Sequence, residues 1–154
     1  MKRSVFVVLL AFVTALLPLI CSSTSPSPAL LEDVVYRIGQ SLKTVDADLS
    51  KTARAIEKDV TEPTAKRQAL RDLCSGKTYA VDCAFINTRG IMETVEPRKY
   101  RKQEGKNVSD QDHVRRIQND KKPVLSQIFI SAEGLQGVVF AYPVFDGKKR
   151  FAGS

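Results

Sequence analysis

Apolar residues recur at alternating spacings of four and three over residues 29–60. The recurring positions are Leu31, Val35, Ile38, Leu42, Val45, Leu49, Ala53 and Ile56. This spacing is typical of one stripe along an α-helix, and a helix of that length would extend on the order of 48 Å. We therefore expect a helix that lies along the whole domain or projects from it. Its stripe could pack on the chain's own sheet, which is the commoner use, or bind a second copy or a signalling partner.

The first twenty residues have the layout of an export signal. Lys2 and Arg3 precede an almost uninterrupted apolar run over residues 4–20, which is typical of a signal peptide or a short membrane anchor. A spanning helix needs about 20 apolar residues, and Pro18 shortens this run. The pattern predicts an exported protein at the outer, extracytoplasmic face of the cell membrane.

Cys21 stands at the end of the apolar run, and a Ser/Pro-rich linker follows it over residues 22–28. This arrangement favours a lipoprotein, in which the cysteine thiol carries lipid and the linker is a tether. The alternative is an uncleaved signal anchor with an incidental cysteine. The predicted organisation is an anchor over residues 1–21, the linker, and one domain over residues 29–154, whose last strand is expected to be truncated.

The composition excludes several classes of protein. The chain has 154 residues, a net charge of +7 and one histidine. Two of the positive charges belong to the export signal, and no nucleic-acid motif accompanies the rest, so no nucleic-acid partner is expected. A single histidine without suitably spaced cysteines argues against a zinc site. No nucleophile elbow or phosphate loop is found, so we expect neither an enzyme nor a cofactor.

The remaining chain alternates short helices and strands. A helix should begin at Pro63 and end near residues 75–76. The other predicted elements are a hairpin of residues 79–86 and 91–95, a helix over 109–119, strands over 123–132 and 135–145, and a last strand from Arg150. Within the first strand, Tyr79, Val81, Cys83 and Phe85 should share one face. Cys74 and Cys83 could form a disulfide or remain reduced thiols.

Four short motifs occur in a characteristic order in the second half of the chain. They are Ser109-Asp110, Lys122-Pro123-Val124 with Ser126, Pro143-Val144-Phe145-Asp146, and Gly153. The ordered set resembles the Cache family of extracytoplasmic sensor domains, in its single-Cache, lipoprotein-like form. The resemblance implies an α+β fold in which a long N-terminal helix packs on an antiparallel, PAS-like sheet. It also implies that the domain binds a small solute.

The motif of amino-acid-binding Cache domains is absent. Gln111, His113 and Val114 stand where those members carry arginine, tryptophan and tyrosine. The resemblance therefore implies a solute sensor without implying an amino acid as the solute.

A basic run over residues 97–106 follows the predicted hairpin. Such runs usually form solvated loops, but this one could also form a pocket rim for an anion, with Arg101 as a carboxylate fork. The predicted ligand-binding residues are Tyr100, Arg101, His113 and Tyr142, and the expected solute is a small carboxylate. The sequence thus predicts a membrane-tethered solute sensor that signals through a partner protein. The alternative is a structural or interaction module that uses the long helix and binds no ligand.

Overall fold

The computed structural model describes residues 28–77, 80–132 and 134–154. The predicted export signal, Cys21 and nearly all of the predicted linker lie outside these residues. The helices are α1 (Pro28–Glu57), α2 (Pro63–Cys74) and α3 (Asp112–Asp120), with a 3₁₀ helix at Arg98–Gln103. The strands are β1 (Cys83–Ile86), β2 (Met92–Glu96), β3 (Val124–Leu125), β4 (Phe129–Ile130), β5 (Gln136–Gly137), β6 (Phe140–Ala141), β7 (Val144–Phe145) and β8 (Phe151–Gly153).

Helix α1 packs on the domain only through its C-terminal half. Ala53 and Ile56 are buried, whereas Val35 and Ile38 are more than half exposed. The predicted stripe is therefore continuous in sequence, but only its second half is buried, since Leu31, Val35, Ile38 and Leu42 are exposed. Within the described residues, no helix is both long enough and apolar enough to cross a membrane.

The strands form antiparallel pairs that are linked to one another. β1 pairs with β2, β7 with β8, β3 with β6 and β4 with β5. Ile86 and Ser154 exchange two backbone hydrogen bonds, of 2.7 and 2.9 Å, which place β8 beside β1. The resulting order is β2, β1, β8, β7, and the chain of β7 continues back into β6 beside β3. The predicted α+β class, with a long N-terminal helix on a small antiparallel sheet, is confirmed.

The two long strands predicted over 123–132 and 135–145 are a single hairpin with an interruption. Ser126 explains the interruption, because its hydroxyl accepts a hydrogen bond from the Val139 amide at 2.8 Å and donates to the Gln127 carbonyl at 2.7 Å. Beyond this point the register shifts by one residue, from Leu125 opposite Phe140 to Phe129 opposite Gly137. The shift is a β-bulge, which bends a strand and redirects its side chains.

The first hairpin is shorter than predicted. β1 begins at Cys83 rather than at residue 79, and Val81 is about half exposed instead of sharing a buried face with Phe85. The physical reason lies in the partner strand. Cys83 pairs with Glu96, and the next residue, Pro97, has no N–H to continue the ladder. Tyr79 lies outside the described residues.

Two clusters form the core. The first joins α1, α2, β1 and β7, and its buried members are Ala53, Ile56, Leu70, Leu73, Cys83, Phe85 and Val144. The second joins β2 to α3, and its buried members are Met92, Val95, Val108 and Val114. The two clusters leave a gap between α1, β1, α3 and the bulged hairpin, and this gap holds the candidate site.

Candidate functional site

A cavity of about 490 Å³ opens in this gap. Helix α1 contributes Val45, Leu49 and Thr52 to its wall, and the segment from Ala80 through β1 forms a second wall. The start of α3 and the bulged hairpin complete the lining, which is mainly apolar. A volume of this size is within the usual range for small-molecule sites, about 300–1,000 Å³.

His113 is the buried polar side chain of this cavity. It is only 4% exposed, and its ring lies 5.0 Å from that of Phe129, centroid to centroid, at a tilt of 52°. Burial lowers the pKa of His113; Asp112 raises it and Arg116 lowers it, but neither outweighs burial. The imidazole is therefore neutral at neutral pH and offers one hydrogen-bond donor and one acceptor.

Tyr142 also lines the cavity, and its hydroxyl ties the hairpin to α1. The hydroxyl donates a hydrogen bond to the carboxylate of Asp46, and this bond raises the pKa of Tyr142 to about 12. A second tie lies nearby, where the Phe145 amide donates to the Glu57 carboxylate at 3.1 Å. A displacement of the segment from Tyr142 to Phe145 would therefore break or strain its two hydrogen bonds to α1.

Tyr100 and Arg101 lie elsewhere, on the 3₁₀ helix and outside the lining of the cavity. Arg101 places Nη2 2.6 Å from Oε1 of the buried Glu96, so its guanidinium already has an anionic partner. Tyr100 packs against the second core cluster, and Nζ of Lys99 lies 4.7 Å from its ring centroid. The predicted anion-binding rim is thus separate from the cavity. The guanidinium of Arg101 binds the carboxylate of Glu96 instead. Ligand contact by any of the four predicted residues stays a prediction.

Cys74 and Cys83 are joined by a disulfide bond, with their Cα atoms 6.1 Å apart. The bond connects the end of α2 to the first residue of β1. Because Ala80, Val81 and Asp82 line the cavity immediately before Cys83, the disulfide fixes one end of that wall.

The polar lining beyond His113 and Tyr142 was not predicted from the sequence. It includes Thr52, Gln111, Ser131 and Gln136, together with Asp82. Thr52 precedes Ala53 of the α1 stripe, so its position in the cavity wall could have been predicted from the helical periodicity. Ser131 and Gln136 could not be assigned to a cavity, because the bulge after Ser126 determines which way this hairpin faces. Among the described residues, no group of three or more metal-binding side chains is found.

Comparisons with known proteins agree with a sensor fold. Residues 40–154 match the family model described as "HK/GC/Chemotaxis protein-like, sensor domain". An extracellular ligand binding receptor from Desulfohalobium retbaense DSM5692 is similar in structure, with 26% sequence identity and a TM-score of 0.79. The match covers 82% of this chain but 23% of the receptor chain. No curated protein shows a significant match.

Because the family model matches well over half of the sequence, the chain belongs to the family of HK/GC/chemotaxis protein-like sensor domains.

Proposed function

We propose that this chain binds a small solute in the cavity between α1, β1, α3 and the bulged hairpin, and that it passes the resulting signal to a partner protein. The observation that supports this most strongly is a cavity of about 490 Å³ with a buried imidazole in an otherwise mainly apolar lining. An apolar pocket with a few placed polar groups is the usual form of a solute site. We propose no catalytic role.

His113 and Tyr142 are the predicted ligand-binding residues that line the cavity, and we propose that both contact the solute. The carboxylate predicted from the sequence depended on Arg101, whose partner is Glu96.

Helix α1 is the proposed route of the signal. Its C-terminal half lines the cavity, and Asp46 and Glu57 hold the segment from Tyr142 to Phe145. Its N-terminal half exposes Leu31, Val35 and Ile38, the stripe predicted to bind a signalling partner or a second copy. A solute that shifts this segment would thereby shift an exposed helical surface.

Tethering at the outer face of the membrane is the proposed setting, through Cys21 or the apolar run that precedes it. With one acyl chain, membrane binding is marginal, whereas two chains hold a protein stably. Fractionation of cells that express the full chain should recover it with membranes, and Cys21→Ser should change its processing or mobility. Recovery of the unaltered chain entirely in the soluble exported fraction would contradict the tether.

Solute binding is tested by a thermal-shift screen on the full chain, purified in detergent, with organic acids, amides, alcohols, amines and sugars. A solute at a hundred times its dissociation constant adds about 2.7 kcal/mol to the free energy of unfolding. For a domain of this size the unfolding midpoint should rise by roughly 5 °C or more. If no compound raises the midpoint, the result favours the structural module that binds no ligand.

A further inference from the structure

We infer that the cavity takes an uncharged, largely apolar solute and excludes carboxylates. This inference rests on the proposed function, because it names the chemical class that the same cavity would bind.

The lining offers no cation to a bound anion. Among the described residues that line the cavity, none is lysine or arginine, and Asp82 has the single carboxylate side chain. A carboxylate that leaves water for a mainly apolar site loses its hydration, and without a cation or several donors this cost is not recovered.

Two lysines close to the lining have anionic partners: Lys66, whose Nζ lies 4.6 Å from the ring centroid of Phe85, and Lys77, which precedes Ala80 in the chain. Nζ of Lys77 lies 2.6 Å from Asp48, and Nζ of Lys66 lies 2.8 Å from Glu93. Recruiting either lysine for a bound carboxylate would leave a carboxylate of the protein unpaired. Neither of these two cations is therefore available to a bound carboxylate.

The polar groups that do line the cavity are suited to hydrogen bonding without charge. Gln111, Ser131 and Gln136 carry amide or hydroxyl groups, and each can both donate and accept. His113 adds a neutral imidazole, because burial lowers its pKa. A primary amide or an alcohol on an apolar body matches such a lining better than an ion does.

The test compares solutes that share one body and differ in charge: phenylacetamide, phenylacetate and phenethylamine, added to the full chain in detergent at pH 7.5. We expect phenylacetamide to raise the unfolding midpoint by several degrees, and phenylacetate to need at least a tenfold higher concentration for the same shift. A larger shift with phenylacetate or phenethylamine would overturn the inference while supporting solute binding. If all three fail while a charged compound of the wider screen binds, the inference is again overturned. Failure of every compound would overturn both the inference and the proposed function.

A pair of glycine variants shows whether the shift arises in the cavity. Gly137 lines the cavity, and a Cβ added there would meet no atom within 4 Å, so Gly137→Phe should occupy the space without a clash. Gly39 on α1 has equally open surroundings and does not line the cavity. We expect Gly137→Phe to abolish the phenylacetamide shift and Gly39→Phe to retain it. A full shift in Gly137→Phe, or its loss in both folded variants, would overturn the assignment.

Discussion

Glu96 is a buried carboxylate that joins three elements. Its Oε1 lies 2.6 Å from Arg101 on the 3₁₀ helix, and 3.2 and 3.8 Å from Arg67 and Arg71 on α2. Burial raises the pKa of Glu96, but hydrogen bonds from Arg101 and Arg67 outweigh burial and hold it below its usual value. Since Glu96 ends β2, the interaction fixes α2 and the 3₁₀ helix against the sheet.

Replacing Glu96 with glutamine should therefore destabilise the fold. Removing one member of a buried ion pair costs about 3–5 kcal/mol. Because Arg67 and Arg101 are about a third exposed, we expect a loss nearer ~2–3 kcal/mol, measured by urea unfolding. Asp33→Asn is the matched control, since its pair with Arg37 spans 3.9 Å on an exposed face and should change stability by at most about 0.5 kcal/mol. Equal effects of the two variants would contradict a structural role for Glu96.

His113 should make stability depend on pH between 7.5 and 5.5. Burial lowers the pKa of His113 in the folded state, and this effect is larger than the increase that Asp112 causes. As the pH falls below the unfolded value of about 6.5, the unfolded chain takes up the proton first. The contribution of His113 to the free energy of unfolding is thus fully present above that pH. It decreases as the pH falls toward the pKa of His113 in the folded state.

The chain has one histidine. Although burial raises the pKa values of the carboxyl groups of Glu93, Glu96 and Glu104, hydrogen bonds to neighbouring residues hold these pKa values below their usual range. The pH window therefore isolates His113. Urea titrations at several pH values should show this decrease in the unaltered chain and a flat profile in His113→Leu. A flat profile in the unaltered chain would show that the imidazole is not buried as described.

At the scale of elements, the closure of the sheet depends on a close backbone approach. β8 lies between β1 and β7, and a Cβ added at Gly153 would lie 2.4 Å from the Ile86 carbonyl oxygen and 2.6 Å from the Phe85 ring. The backbone there has a φ of +152°, which side-chain-bearing residues rarely adopt. Only glycine permits the two hydrogen bonds between Ile86 and Ser154.

Gly153→Ala should consequently lower the free energy of unfolding by more than about 2 kcal/mol, because the clash is with backbone as well as with a buried ring. The control is Gly39→Ala on α1, where nothing lies within 4 Å, and alanine should stabilise the helix by about 0.5–1 kcal/mol. Chemical denaturation of both variants checks the opposite signs. A neutral Gly153→Ala would show that β8 does not pair with β1.

The disulfide should stabilise the domain by constraining the unfolded chain. A loop of about ten residues is worth roughly 2.5 kcal/mol by loop-closure entropy. Reductant should lower the unfolding midpoint of the unaltered chain and leave the Cys74→Ser/Cys83→Ser double variant unaffected. Equal sensitivity of the two proteins would contradict the bond.

The helices could be predicted from the sequence more closely than the strands. The α1 stripe and the Pro63 start are local patterns, and both ends of α2 lie within about a residue of expectation. The start of β1 depends instead on its partner, because Pro97 ends the ladder opposite Cys83. The sequence around Ser126 is that of an ordinary strand. The bulge there becomes apparent only from the hydrogen bond that the Val139 amide donates to the Ser126 hydroxyl.

The candidate site was predictable in the same partial way. His113 and Tyr142 both line the cavity, and their contact with a solute stays a prediction. Arg101 does not line it and pairs with Glu96 instead, an arrangement that depends on how the 3₁₀ helix packs against β2. Sequence position alone does not show whether a cation faces solute or an internal carboxylate.

At the scale of the whole molecule, the cavity is bounded by the elements of the proposed signal route. Helix α1 forms one wall, the disulfide-fixed segment before β1 forms another, and the bulged hairpin is tied back to α1 through Tyr142 and Asp46. A solute in this space would contact both the strand and the helix. The proposed function therefore depends on whether a solute reaches His113, the single histidine of the chain.

Nuclear magnetic resonance of His113 tests this most directly, because its ring signals belong to the only histidine of the chain. Phenylacetamide, titrated into the full chain in detergent, should shift the ring carbon and proton signals saturably. The dissociation constant should match the one from thermal shifts, and Gly137→Phe should abolish both responses. A solute that stabilises the protein while leaving the His113 signals unmoved would contradict binding in this cavity.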